Sequence, residues 1–126
     1  MNQNWEQAAR DGNASSLARQ IASGCAINSL DHYGQSALML AARSGHLDAV
    51  QVLVDAQADL NITAKFGLSA IMLAVVNGHD AAARLLLAAG ADLSIKGRGA
   101  PGFDGKTAAD LARDRGLEQL ALDLSR

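Results

Sequence analysis

A segment written twice at a fixed spacing limits what this chain can fold into more than any other feature. Gly34-Gln35-Ser36-Ala37-Leu38-Met39-Leu40-Ala41-Ala42-Arg43-Ser44-Gly45-His46 returns 33 residues later as Gly67-Leu68-Ser69-Ala70-Ile71-Met72-Leu73-Ala74-Val75-Val76-Asn77-Gly78-His79. Leu53-Val54 and Ala58-Asp59-Leu60 come back on the same offset as Leu86-Leu87 and Ala91-Asp92-Leu93. A unit of that length buries its apolar face only by stacking on copies of itself. The expected fold is therefore a short array of such units.

Within a unit the periodicity is helical. Ser36 is placed to cap a helix, accepting from an otherwise unpaired amide, an effect of about 1 kcal/mol. Leu38, Ala41 and Ala42 follow on one narrow face, with the alanines allowing close approach of a neighbour. Gly45 ends this helix at an expected left-handed position, where a Cβ would clash. Val50, Leu53 and Val54 mark a second helix that stops near Gln57-Ala58-Asp59, and Leu60 to Gly67 read as extended residues and a turn. The unit is helix, tight turn, helix and projecting hairpin.

The outer copies are worn. Ala8-Ala9, Gly12 and Asn28 fall on Ala41-Ala42, Gly45 and Asn61, and Trp5 falls on Leu38, so its indole is expected to cover the open end of the core. At the other end, Gly67 to Gly105, Leu73 to Leu111 and Gly78 to Gly116 each span 38 residues, which places a five-residue insertion before Gly105. A last helix from Leu117 to about Leu124 is expected to bury Leu117, Leu120, Ala121 and Leu124 and to turn Glu118, Gln119, Asp123 and Arg126 to water. The expected organisation is one all-α domain, 1–126, with units at about 1–30, 31–63, 64–96 and 97–126 and the insertion at 97–104.

Aromatic residues make up 3% of the chain, so the core has to be built from Ala, Leu, Ile and Val. The net charge of −2 gives no overall footprint for nucleic acid, and none is expected as a partner. No apolar run approaches the ~20 residues needed to cross a bilayer, so no membrane role is expected. Met1 to Glu6 lack the basic and apolar regions of a signal peptide, and the single cysteine forms no internal disulfide, so a reducing cytoplasmic location is expected, although a mature secreted fragment would look the same.

Gly-x-Ser-Ala-Leu-x-x-Ala-Ala-x-x-Gly-His, then Val-x-x-Leu-Val, then Ala-Asp-x-Asn, closely resembles the ankyrin repeat. The resemblance covers roughly residues 2–125 in four copies, of which the two central ones are strong. One departure is that Ser36-Ala37-Leu38-Met39 and Ser69-Ala70-Ile71-Met72 stand where the family has Thr-Pro-Leu-His. The missing histidine removes a network that ties the helix cap down. The resemblance implies an ankyrin-repeat solenoid, a curved stack of L-shaped units with projecting hairpins. It also implies a protein-binding role through the hairpin tips and the exposed side of each first helix.

Four sets of residues invite other chemistry. Ala100-x-x-x-x-Gly105-Lys106-Thr107 matches a relaxed phosphate loop, which makes nucleotide or small-molecule binding at 97–107 the alternative function. That mechanism needs a preceding buried strand, which Ser94-Ile95-Lys96 does not supply, and the register already explains Gly105-x-Thr107 as a turn and cap. His46 and His79 are one helix spacing apart, roughly 8–10 Å, too far to share an ion bound at about 2.0–2.1 Å. They are expected to brace the turn after each first helix. Cys25 falls on Ala58 and Ala91 and reads as a small packed residue with no base beside it. Asp59 and Asp92 repeat with the period, as turn residues do. No catalytic residue, cofactor or metal site is expected, and the chain is not expected to be an enzyme.

What remains is the non-repeating fringe. The hairpin tips carry His32, Tyr33 and Gln35, then Lys65, Phe66 and Leu68, then Phe103, Asp104 and Lys106. The exposed ends of the first helices add Arg10 and Asp11, Arg43 and Ser44, Val76 and Asn77, and Asp114 and Arg115. Aromatic side chains projecting into solvent, rimmed by mixed charge, form a candidate surface for another protein. The competing readings are that each ring merely packs on the next hairpin, and that the array is a self-associating structural stack. A monomer is expected.

Overall fold

Each first helix starts at a short polar side chain. In the computed structural model, which describes residues 1–125, α1 (Gln3–Asp11) is capped by the Asn2 side chain, which accepts from the amides of Asn4 and Trp5. Ser36 caps α3 (Ala37–Arg43) by accepting from the Met39 amide. Thr107 and Asp110 exchange bonds in a complete capping box at the start of α7 (Ala108–Asp114). Ser69 occupies the same place before α5 (Ala70–Val76), yet its hydroxyl is buried with no partner. Met72, standing where the resemblance calls for histidine, is buried and offers it no polar atom.

A glycine turn then leads from each first helix to a second one: α2 (Ala14–Ala22), α4 (Leu47–Asp55), α6 (Asp80–Ala88) and α8 (Glu118–Leu124). Helices α1, α3, α5 and α7 pack side by side as one layer, and α2, α4, α6 and α8 form the other. The core between them is aliphatic, with Leu17, Leu38, Leu53, Ile71, Leu86 and Leu120 almost inaccessible. Ala41, Ala42, Ala74 and Ala112 are fully buried and let the first-layer helices approach closely. Among the described residues there is no strand, only isolated bridges at Leu30–Ser36 and Gly97–Asp104. The all-α array is as expected from the repeat. Arg126 lies outside the described residues.

Periodic polar contacts tie the pairs together. The Asn28 side chain accepts from the Asp59 amide, and Asn61 from the Asp92 amide, each at 2.8 Å. The imidazoles correct one expectation. His46 does not brace its own turn: its Nε2 donates to the Arg10 carbonyl at 3.0 Å and its ring lies over Gly12, while His79 lies over Gly45. Each histidine seats on the turn of the preceding pair. Trp5 also differs, since at 1% exposure the indole is enclosed in the core instead of spread across its open end.

Gly24 and Gly90 end their second helices at φ 87° and 92°, but the intervening pair uses Gln57 at φ 65°. A left-handed non-glycine residue costs about 1–2 kcal/mol, and glycine's extra chain entropy costs about 0.5–1 kcal/mol. Gln57→Gly should therefore stabilise the protein by about 0.5 kcal/mol, a rise of roughly 2 °C in melting temperature. A lower melting temperature by calorimetry would contradict this reading of the turn.

Candidate functional site

The hairpins and the C-terminal ends of the first helices enclose one groove of about 580 Å³ on the inner side of the stack. The first hairpin is shaped by Asp31, whose Oδ1 accepts from the amides of Tyr33 and Gln35 at 2.9 and 2.8 Å. Its Oδ2 accepts from Arg10 Nη2 at 3.1 Å, and Arg10 Nε also reaches Glu6. Tyr33 is left 71% exposed, with the His32 ring tilted against it at 5.4 Å.

The second hairpin turns through one 3-10 turn at Lys65–Gly67, with Phe66 at φ 64°. That conformation is rare for a large side chain. Two contacts hold it: the Phe66 carbonyl accepts from the Arg98 amide at 2.8 Å, and its ring stacks on Phe103 at 5.4 Å. Both contacts come from the insertion. It closes on itself through Gly97 and Lys106, whose backbone groups pair at 2.9 Å, and a side chain at Gly97 would strike the Phe103 carbonyl. Lys65 Nζ sits 5.0 Å from the Phe66 ring centre, a cation–π distance.

Eleven of the expected fringe residues border this groove: Arg10, Tyr33, Gln35, Arg43, Lys65, Phe66, Leu68, Val76, Asn77, Phe103 and Arg115. Their placement corrects the picture of projecting tips. Gln35 and Leu68 are buried, because the residue before each cap turns inward under its hairpin, and Gln35 Oε1 is held by Arg43 Nη1 at 2.6 Å. Phe66 and Phe103 are half-buried and face each other across the second and third hairpins, so of the three hairpin aromatics only Tyr33 projects freely. His32, Ser44 and Asp104 are exposed outside the groove, and Lys106 pairs with Asp114 beside it. Arg10 lines the groove from the exposed end of its first helix, as expected, and Ala64 and Leu73 complete the lining.

The groups that a phosphate ligand would need at 97–107 are engaged elsewhere. Lys106 is in its ion pair, the Thr107 hydroxyl is in the capping box, and the Gly97 and Gly105 amides donate to backbone carbonyls. Burial pushes the Cys25 thiol up from its ordinary value, against the opposing pull of a backbone hydrogen bond, which suits packing against the core rather than attack. Among the described residues no cluster of His, Cys, Asp and Glu is arranged to hold a metal ion. No helix there is long and apolar enough to cross a membrane.

Comparison with curated proteins returns no match to the chain. A family model described as ankyrin repeats (3 copies) matches residues 5–97. Helices α7 and α8 lie beyond that match and continue both layers by packing on α5 and α6. Ankyrin repeats are generally protein–protein interaction modules and typically non-catalytic. With its helix pairs stacked on a 33-residue period and its sequence matched over most of its length, the chain belongs to the ankyrin-repeat family.

Proposed function

We propose that residues 1–126 act as one non-catalytic binding domain that takes a partner protein, in the cytoplasm and as a monomer, in the groove between the hairpins and the first helices. The observation that carries this reading is the convergence of three separate hairpins on one concavity, with an aromatic pair on its wall and Leu68, Leu73 and Val76 along its apolar lining. A groove of several hundred cubic ångströms with apolar walls and a polar rim accepts side chains of a docked chain. Nucleotide binding at the insertion is disfavoured by the engagement of Lys106 and Thr107, and self-association is tested by sedimentation equilibrium.

The double change Tyr33→Ala/Phe66→Ala removes two rings from the groove while leaving the helical core in place. Hot-spot rings carry about 2 kcal/mol or more each, so affinity for the native partner should fall at least about thirtyfold. The check is affinity purification from the native cell with wild-type and double-mutant protein, mass spectrometry, and titration of the purified partner. Undiminished binding by a double mutant with native helical circular dichroism would move the site elsewhere.

A further inference from the structure

The charge distribution inside the groove names the chemistry of its occupant. Although the whole chain carries a net charge of −2, no carboxylate borders the groove among the described residues. Arg10 is already matched there by Glu6 and the buried carboxylate of Asp31. Among the described residues, Arg43 is held only by the neutral amide of Gln35, Lys65 only by the face of Phe66, and Arg115 by no carboxylate. Elsewhere Arg84, Lys106 and Arg113 each have an acidic neighbour, while Arg19, Lys96 and Arg98 stand without an ion pair among the described residues and do not border the groove's apolar lining. Cations left without counter-charge around an apolar lining are complementary to a ligand that brings its own.

Resting on the groove reading above, we propose that this site binds an extended acidic peptide segment, two carboxylates of which meet Arg43 and Arg115 while an apolar side chain between them enters beside Phe66 and Phe103. Arg43 and Arg115 belong to first-layer helices two spacings apart, roughly 16–20 Å. An extended chain advances about 3.3 Å per residue, so the two carboxylates are about five to six residues apart. Leu73 and Val76 line the stretch between the cations. A nucleic-acid strand, which carries a charge on every residue, matches an apolar interval poorly.

The test uses the full chain and a displayed library of random linear peptides of about twelve residues, long enough at ~3.3 Å per residue to cross the stack. Enriched sequences should be acidic with an internal apolar residue, and raising salt from about 50 to about 500 mM should weaken a labelled example at least tenfold. Arg43→Glu/Arg115→Glu should weaken it at least about tenfold, while the charge-matched control Arg19→Glu/Lys96→Glu, outside the groove, should leave it within about twofold. Neutral or basic winners, or indifference to the groove reversal in a folded mutant, would overturn the acidic assignment. Tighter binding of a single-stranded oligouridine than of any selected peptide would overturn it in favour of nucleic acid. If no peptide is enriched while a native partner still depends on Tyr33 and Phe66, this inference fails and the groove stands. If acidic peptides bind but ignore both the charge reversal and the Tyr33→Ala/Phe66→Ala change, both readings fail.

Discussion

Gly45→Val is expected to lower the stability of the protein by about 3 kcal/mol, a drop on the order of 10 °C in melting temperature. Two independent causes add. Gly45 sits at φ 73°, where a β-branched residue is strained by its own backbone. A Cβ there would also lie 2.5 Å from Nδ1 and 2.8 Å from Cγ of His79, whose ring is wedged between successive pairs. The equivalent Gly78 separates the two causes, since it has φ 78° but nothing within 4 Å of an added Cβ. Gly78→Ala should cost about 1 kcal/mol from the backbone alone. Gly45→Ala should cost about 1–3 kcal/mol more, because the imidazole has to move. Equal losses for the two alanines in calorimetry or urea melts would show that the His79 ring yields freely.

Trp5→Ala should be the second large effect, at about 3–5 kcal/mol for an enclosed aromatic removed from a core. The indole is 1% exposed and belongs to the helix pair at the amino end of the stack. In a linear array each pair is held by its own packing and by its one or two neighbours, so a loss of this size falls on the end pair first. Hydrogen exchange should show α1 and α2 open while α5 and α6 stay protected, and melting should broaden or split. Uniform loss of protection along the chain would contradict that picture. Trp5→Phe is the control, expected to cost only about 1 kcal/mol, since it keeps a ring and removes a buried indole N–H that has no acceptor.

The array was legible in the sequence because stacking imposes its requirements at every turn. Ser36, Ala41-Ala42, Gly45 and His46 each answer a local demand that recurs, and the period follows from it. The groove was legible in its membership but less so in its shape. Whether Gln35 and Leu68 turn in or out depends on the side of a hairpin they occupy, which alternation over so few residues does not settle. The meeting of Phe66 with Phe103 depends on the path of a loop whose added length breaks the register. The sequence does not distinguish Arg43 and Arg115 from Arg10, whose charge Asp31 and Glu6 take up only in the folded chain. The seat of each histidine on the preceding pair is not legible for a related reason, since a period shows that a histidine and a glycine recur together but not which turn the ring covers.

The seating of each imidazole on the preceding turn gives the stack a polarity. The series stops at Leu117, where the next ring would fall, and that last junction instead carries Arg84 bound to Asp123 at 2.7 Å. A partly exposed ionic tie of this kind loosens as counterions crowd round it, whereas a ring lodged in a turn does not. The junction between the last two pairs thus answers to the ionic medium with no seated ring beside the ionic tie, and it carries the lengthened hairpin and hence the far wall of the groove.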